Sequence, residues 1–167
     1  MSQQIAHDAR LFRDVMGRFA TGVTVLSLNV DGELRGVTAN AVSSLSLDPM
    51  LLLACIDRNS SSHALFERAE SFAVNILESG QRHLSSLFSK HGGHEEPMAG
   101  VPYRLGALGT PLIEGSLAYA ECRIGERIAA GDHTIVIGEV VDMAIERPEG
   151  EPLIFFSAGY RQLEATG

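Results

Sequence analysis

The chain has 167 residues, of which 45% are hydrophobic and 20% charged, and its formal net charge is −8. This length suits one domain with a substantial core, since domains of about 150 residues bury roughly 70% of their unfolded surface. The acidic balance argues against a general nucleic-acid or anionic-membrane binder, because both need a basic face, although a local cationic site for one phosphate group is compatible with it.

No apolar run approaches the roughly 18 residues that a membrane-spanning helix needs. The opening residues, MSQQIAHDAR, lack the apolar centre of a signal peptide. Cys55 and Cys122 lie in apolar, strand-like runs without CxxC spacing, which reads as two free thiols in a reducing compartment. The expected location is therefore cytoplasmic.

In chain order, Asp8 is a candidate N-cap for a helix carrying Leu11, Phe12, Val15, Met16 and Phe19 at helical spacing. A β-rich stretch from Val23 to Val30 follows, and Asp31-Gly32 predicts a hairpin returning through Leu34 to Asn40. The segment GVTANAVSSLSLDP, Gly36 to Pro49, is a polar interruption between apolar runs. Met50 to Ile56 is a continuous apolar run that fits a strand buried on both faces. The Ser cluster after it can cap a short helix with Ala64, Leu65, Phe66 and Ala69 inward.

Phe72 to Leu77 is another strand. SGQRHLSSLFSKHGG reads as an amphipathic helix with Leu84, Leu87 and Phe88 on one side and Gly92 near its end. HGGHEEPMAGVPYRLGALGTP, rich in Gly and Pro, reads as a long loop. Long strands are expected at Ser116 to Ile124 and Thr134 to Met143, with a short one at Leu153 to Phe156. Six or seven strands joined by hairpin turns, with three short helices, predict a mainly β fold, an antiparallel barrel or sandwich. No repeat or linker divides the chain, so one domain is expected over residues 1–167. A G-x-G-x-x-G between strand and helix is missing, which removes the strongest sign of a Rossmann dinucleotide site.

Six segments carry a resemblance: RDVMGRFATGVTVLS, GVTANAVSSLSLDP, FAVNIL with a following Gln, LAYAECRI, GDHTIVIGEV and LIFFSAGYRQL. In that order and spacing, over about Leu11 to Leu163, the chain resembles the short-chain flavin reductase family, the reductase components of two-component flavin-dependent monooxygenases. The resemblance implies an FMN-binding antiparallel split barrel, Greek-key-like and normally homodimeric. It also implies NADH or NADPH as reductant for FMN or FAD, with the reduced flavin passing to a partner monooxygenase. The sequence departs from the family pattern at Asp48-Pro49-Met50, where Asp-Pro-Pro is usual, at Val42, often Phe, and at Tyr103, in place of a loop Trp.

By the resemblance, Thr38, Ala39, Asn40, Ala41, Val42, Ser43 and Ser44 lie against the flavin, with Cys55 behind them. Their small size lets backbone groups approach a ligand. The same residues read without it are a Ser/Thr-rich connection capping its own backbone. Ser60, Ser61 and Ser62, just before a helix, suit a phosphate anchor, where unpaired N–H groups and the helix dipole attract anions; plain N-capping explains them equally. Asp57 is assigned to the ribityl chain, and Phe88, Ser89 and Lys90 to the phosphate or outer flavin.

His133, in Gly131-Asp132-His133, is assigned to positioning the nicotinamide and not to general-base work, because hydride transfer needs alignment more than a strong acid or base. Its alternative is a turn in which Asp132 holds the ring. Tyr160 and Arg161 border the nicotinamide site in the family, and a dimer-interface tail is the competing reading. His83, His91, His94, Glu95 and Glu96 match no zinc spacing, so no metal site is expected. The rival to a reductase is a split-barrel protein that holds flavin or haem without turnover.

Overall fold

The computed structural model describes residues 8–89 and 98–163. Helix α1, Ala9–Met16, begins at Asp8, whose side chain accepts from the Arg10 amide at 2.8 Å. The strands β1 (Thr21–Gly22), β2 (Thr24–Val30), β3 (Glu33–Ala39), β4 (Val42–Leu47) and β5 (Met50–Asp57) follow. Helix α2, His63–Arg68, leads to β6, Ser71–Ile76, and a short 3-10 turn leads to α3, Arg82–Phe88. The chain then forms β7 (Tyr103–Leu105), β8 (Pro111–Ile113), β9 (Ala118–Ala130), β10 (His133–Ile145), β11 (Ile154–Phe156) and β12 (Gly159–Arg161).

Seven strands make one antiparallel sheet in the order β3-β2-β6-β9-β10-β5-β4. Its two edges, β3 and β4, are consecutive in sequence and are joined only by Asn40 and Ala41. Two residues span little more than about 10 Å, so the sheet must curl until its edges nearly meet. The Cys55 amide donates to the Ala41 carbonyl at 3.0 Å across the join. The result is the split barrel that the sequence predicts.

The turn residues do what their types allow. Asp31 and Gly32 have φ of 55° and 87°, the paired positive values that a two-residue hairpin turn needs. At the β11–β12 turn the same geometry falls on Ser157 and Ala158, with φ of 49° and 59°. Gly131, with φ of 63°, opens the β9–β10 turn.

The barrel interior is packed by Leu26, Leu28, Leu52, Ile56, Phe66 and Phe72, among others. A second cluster, including Val25, Leu77, Leu84, Phe88 and Leu153, lies on the outer face of β2 beneath α3. Strand β2 is thus covered on both sides. Buried Asn75 on β6 ties the layers together: its amide donates to the Val25 carbonyl at 3.1 Å and to Ser27 Oγ at 2.9 Å, and its Oδ1 accepts from the Ile113 amide at 2.7 Å. Ser27 Oγ in turn donates to the Pro111 carbonyl. Glu121, fully buried, accepts through Oε1 from the amides of Leu108 and Thr110 at 2.9 and 3.2 Å and from Thr110 Oγ1 at 2.6 Å.

Several elements differ from the sequence-based expectation. Residues of the polar interruption form β4, an edge strand on which Ser43 and Ser44 are exposed and Ser46 is half-buried, and edge strands tolerate such residues. Strand β5 is buried on one face only: Leu52, Ala54 and Ile56 point inward, while Leu51, Leu53 and Cys55 stay half-buried. Part of the expected Gly/Pro-rich loop is the β7–β8 hairpin. Strands β9 and β10 each run for 13 residues, because a bulge beside Gly125 keeps the pairing going where a break was expected.

Replacing Asn75 by Ala strands the Ile113 amide in the core. Asn75→Ala is expected to lower unfolding free energy by about 2 to 3 kcal/mol, read from the urea midpoint with the slope unchanged.

Candidate active site

Between β3 and the end of β5, a cavity of about 380 Å³ opens, within the range of small-ligand sites. Strand β3 and its exit form one wall, through Thr38, Ala39, Asn40 and Ala41. Opposite lie Cys55 and Asp57 at the end of β5, followed by the Ser60-Ser61-Ser62 turn. The C-terminal end of α3 contributes Leu87, Phe88 and Ser89, and His133 stands at the rim. Twelve of the sequence-predicted positions thus come together from four separate chain segments.

The walls fit by shape. A methyl group added at Gly36 would lie 2.6 Å from the Phe88 ring, so β3 and α3 touch at van der Waals limits there. The Thr38 hydroxyl donates to the Ser85 carbonyl at 2.8 Å, which fastens the same helix to the same strand. That hydroxyl is thereby engaged in shaping the wall.

The polar groups facing the space are mostly neutral. Ser60 Oγ is buried with no hydrogen-bond partner among the described residues. An orphaned hydroxyl of this kind is costly unless a ligand or water meets it. Ser62 occupies the N-cap position of α2 but makes no side-chain capping bond, so plain capping does not account for the cluster. Helix α2 has only six residues, so its dipole is weak and the hydroxyl and amide groups dominate local polarity. Asp57 Oδ1 accepts from the Asn59 amide at 2.8 Å and from Asn59 Nδ2 at 3.2 Å, which shapes the serine turn.

At the rim, His133 pairs in register with Asp57, and its Nδ1 lies 2.8 Å from Asp132 Oδ1. That hydrogen bond to His133 holds the Asp132 carboxyl below its ordinary value. A carboxylate lowered in this way keeps its contact at neutral pH and loses it only as pH falls through the lowered value. The Asp132–His133 pair anticipated as the alternative is therefore present, and it fixes the ring at the cavity edge.

Other expected positions lie elsewhere. Val42 packs against the barrel interior opposite Ala54, and Ser43 and Ser44 are exposed on β4. Tyr160 packs against α3 and Phe155, and Arg161 donates to the Tyr160 carbonyl at 2.9 Å on the exposed side of the tail. Lys90, His91, His94, Glu95 and Glu96 fall outside the described residues.

The sequence reading overlooked Arg35, whose side chain lines the cavity while pairing with Glu33 at 2.7 Å. Its signal was a lone arginine on the returning strand of the Asp31-Gly32 hairpin, one residue before Gly36.

A family model described as a flavin reductase like domain matches residues 16–164. The chain is 37% identical over 167 residues to the Mycobacterium tuberculosis reductase subunit HsaB of a flavin-dependent monooxygenase, covering 98% of this chain and 86% of the relative. It is 37% identical over 153 residues to the FMN reductase (NADH) SmoA of Agrobacterium fabrum, covering 92% and 85%. The solved NADH:FAD oxidoreductase SgcE6 of Streptomyces globisporus, in complex with NAD and FAD fragments, superposes with a TM-score of 0.88 at 36% identity, covering 94% of each chain.

The two thiols differ in a way that reports on the cavity. Burial raises the Cys55 thiol, whereas burial and the Glu121 charge push the Cys122 thiol up to about 12. At about pH 8 only Cys55 should react with a disulfide reagent, and slowly, because the thiolate is the nucleophile. Labelling of the native protein should vanish in Cys55→Ser, and unfolding should release Cys122; equal reactivity of the two native thiols would contradict this placement.

Proposed function

Because the chain belongs to the flavin reductase family and is an enzyme of that kind, we propose that the cavity between β3 and the end of β5 holds the flavin, FMN or FAD, and that NADH or NADPH docks on its open side beside His133. The observation that carries this assignment is the buried Ser60 hydroxyl, which has no hydrogen-bond partner among the described residues, in a cavity whose polar lining is mostly small hydroxyl and amide groups. A planar, polar-edged ligand matches such a lining, since Ala39 and Ala41 let backbone atoms approach its edge.

The reading gives the residues distinct work. The Asn40 amide and the backbone around it orient the flavin edge, and Asp57 stands toward the ribityl chain. Ser60, Ser61 and Ser62 supply hydroxyls to the phosphate end, where Arg35 adds positive charge from the facing strand. Cys55 backs the ring as a small apolar contact, while Phe88 and Ser89 close the outer side. His133, held by Asp132, positions the nicotinamide at the rim. When bound, the flavin accepts the hydride from reduced nicotinamide, which is chemistry that no side chain here supplies. The protein's contribution is alignment and partial exclusion of water.

The reduced flavin is then handed to a separate monooxygenase component, the role carried in the names of its relatives. A second copy of the chain covers the apolar surface left open on one protomer. Helix α1 buries none of its residues, with Phe12 68% exposed, and Leu47 and Ile145 are 89% and 75% exposed. Large apolar side chains left in water at these positions favour burial against a partner surface. Both cysteines are free, in keeping with a cytoplasmic setting.

Purified protein mixed with NADH and excess FMN or FAD should oxidise the nicotinamide only when flavin is present. Flavin binding without turnover would point instead to a carrier. His133→Ala should raise the nicotinamide KM about ten-fold while changing flavin affinity less than about two-fold, as expected for a lost positioning hydrogen bond. In sedimentation the wild type should run as a dimer, and Leu47→Asp with Ile145→Asp should shift it toward monomer.

A further inference from the structure

Beyond the cavity, α3 is held from its far side by the C-terminal hairpin. Ser85, 1% exposed, shares a hydrogen bond through Oγ with the Tyr160 hydroxyl at 2.8 Å. The Ser85 carbonyl accepts from Thr38 Oγ1 at 2.8 Å and from the Ser89 amide at 3.1 Å. One residue is thereby bonded to the cavity wall on β3, to the cavity end of α3, and to β12. Tyr160 is itself fixed, with the Arg82 guanidinium 4.7 Å from its ring centroid and Phe155 set edge-on at 5.6 Å.

Helix α3 has seven residues, too short to define its own position, since isolated helices of that length are unstable in water. Its place comes from what it touches. Strand β3 holds it on one side through Thr38 and the Gly36–Phe88 contact, and the tail holds it on the other through Tyr160. Leu87 and Phe88 at its C-terminal end, with the C-cap Ser89, form part of the cavity wall.

We propose that Ser85 and Tyr160 are positioning residues for flavin binding, with the C-terminal hairpin setting the placement of the Leu87–Ser89 wall through this pair of hydroxyls. Tyr160 then acts on the flavin side through α3 and does not need to contact the nicotinamide. The proposal rests on the cavity being the flavin site.

Tyr160→Phe removes only the hydroxyl and keeps the ring packing, and Ser85→Ala removes the other half of the contact. Fluorescence titration with FMN and FAD should show the flavin Kd raised about three- to ten-fold in each single variant, the size expected from one lost buried hydrogen bond. The double variant should be no weaker than the weaker single one, because both remove the same contact. Nicotinamide KM and the rate at saturating flavin should stay within about two-fold of wild type. Thermal unfolding of Tyr160→Phe verifies that the comparison is made on folded protein.

Unchanged flavin Kd in both single variants would overturn the proposal, as would losses that add in the double variant. A raised nicotinamide KM with flavin binding intact would also overturn it and place Tyr160 at the nicotinamide instead. Failure of wild-type protein to bind flavin would remove the cavity assignment itself, which distinguishes that outcome from the others.

Discussion

The two-residue link Asn40-Ala41 is the constraint on which the architecture turns. It joins the opposite edges of a seven-stranded sheet, so the sheet has no freedom to lie open. Twist brings the edges round, the short link draws them together, and the Cys55–Ala41 hydrogen bond extends the β4–β5 ladder into the link. The cavity lies between β3 and the end of β5, walled by whatever packs into the gap, namely the serine turn and α2 on one side and α3 on the other.

A site made in this way has walls of different stiffness. Strands β3 and β5 belong to the continuous sheet and are held by ladders along their length. The serine turn and α3 are short pieces held by individual hydrogen bonds and by contact with Phe88. Hydride transfer between stacked rings depends on distance and orientation, so in the proposed flavin site the ladder-held strands would suit the reacting ring and the shorter pieces the rest of the ligand.

Much of this was legible in the sequence, and the misses have physical causes. Hairpins were readable because Asp31-Gly32 and the alternating strands are local signals, and α1 announced itself by Asp8 and its apolar spacing. The cavity segments around Thr38 to Ala41, Ser60 to Ser62 and His133 were readable only with the resemblance, since small polar residues look alike in a loop and in a binding wall. The one-sided burial of β5 was missed because a run of apolar residues has no period to reveal which face is covered. Strand β4 was missed because its serines suit an exposed edge and therefore give no hydrophobic alternation. Tyr160 drew its expected place from the resemblance, and its bond to Ser85, on a helix distant in sequence, is one that no spacing rule connects.

The Gly36–Phe88 contact has a consequence for how this chain can diverge. Gly36 does not have the left-handed backbone that would demand glycine, so the position is closed by the neighbouring ring alone. Any side chain there forces the Phe88 ring to move, while shrinking Phe88 alone leaves a void beside β3. Neither step is neutral without the other. The two positions are therefore sterically coupled, and altering the breadth of this cavity at one of them without loss of packing requires a compensating change at the other.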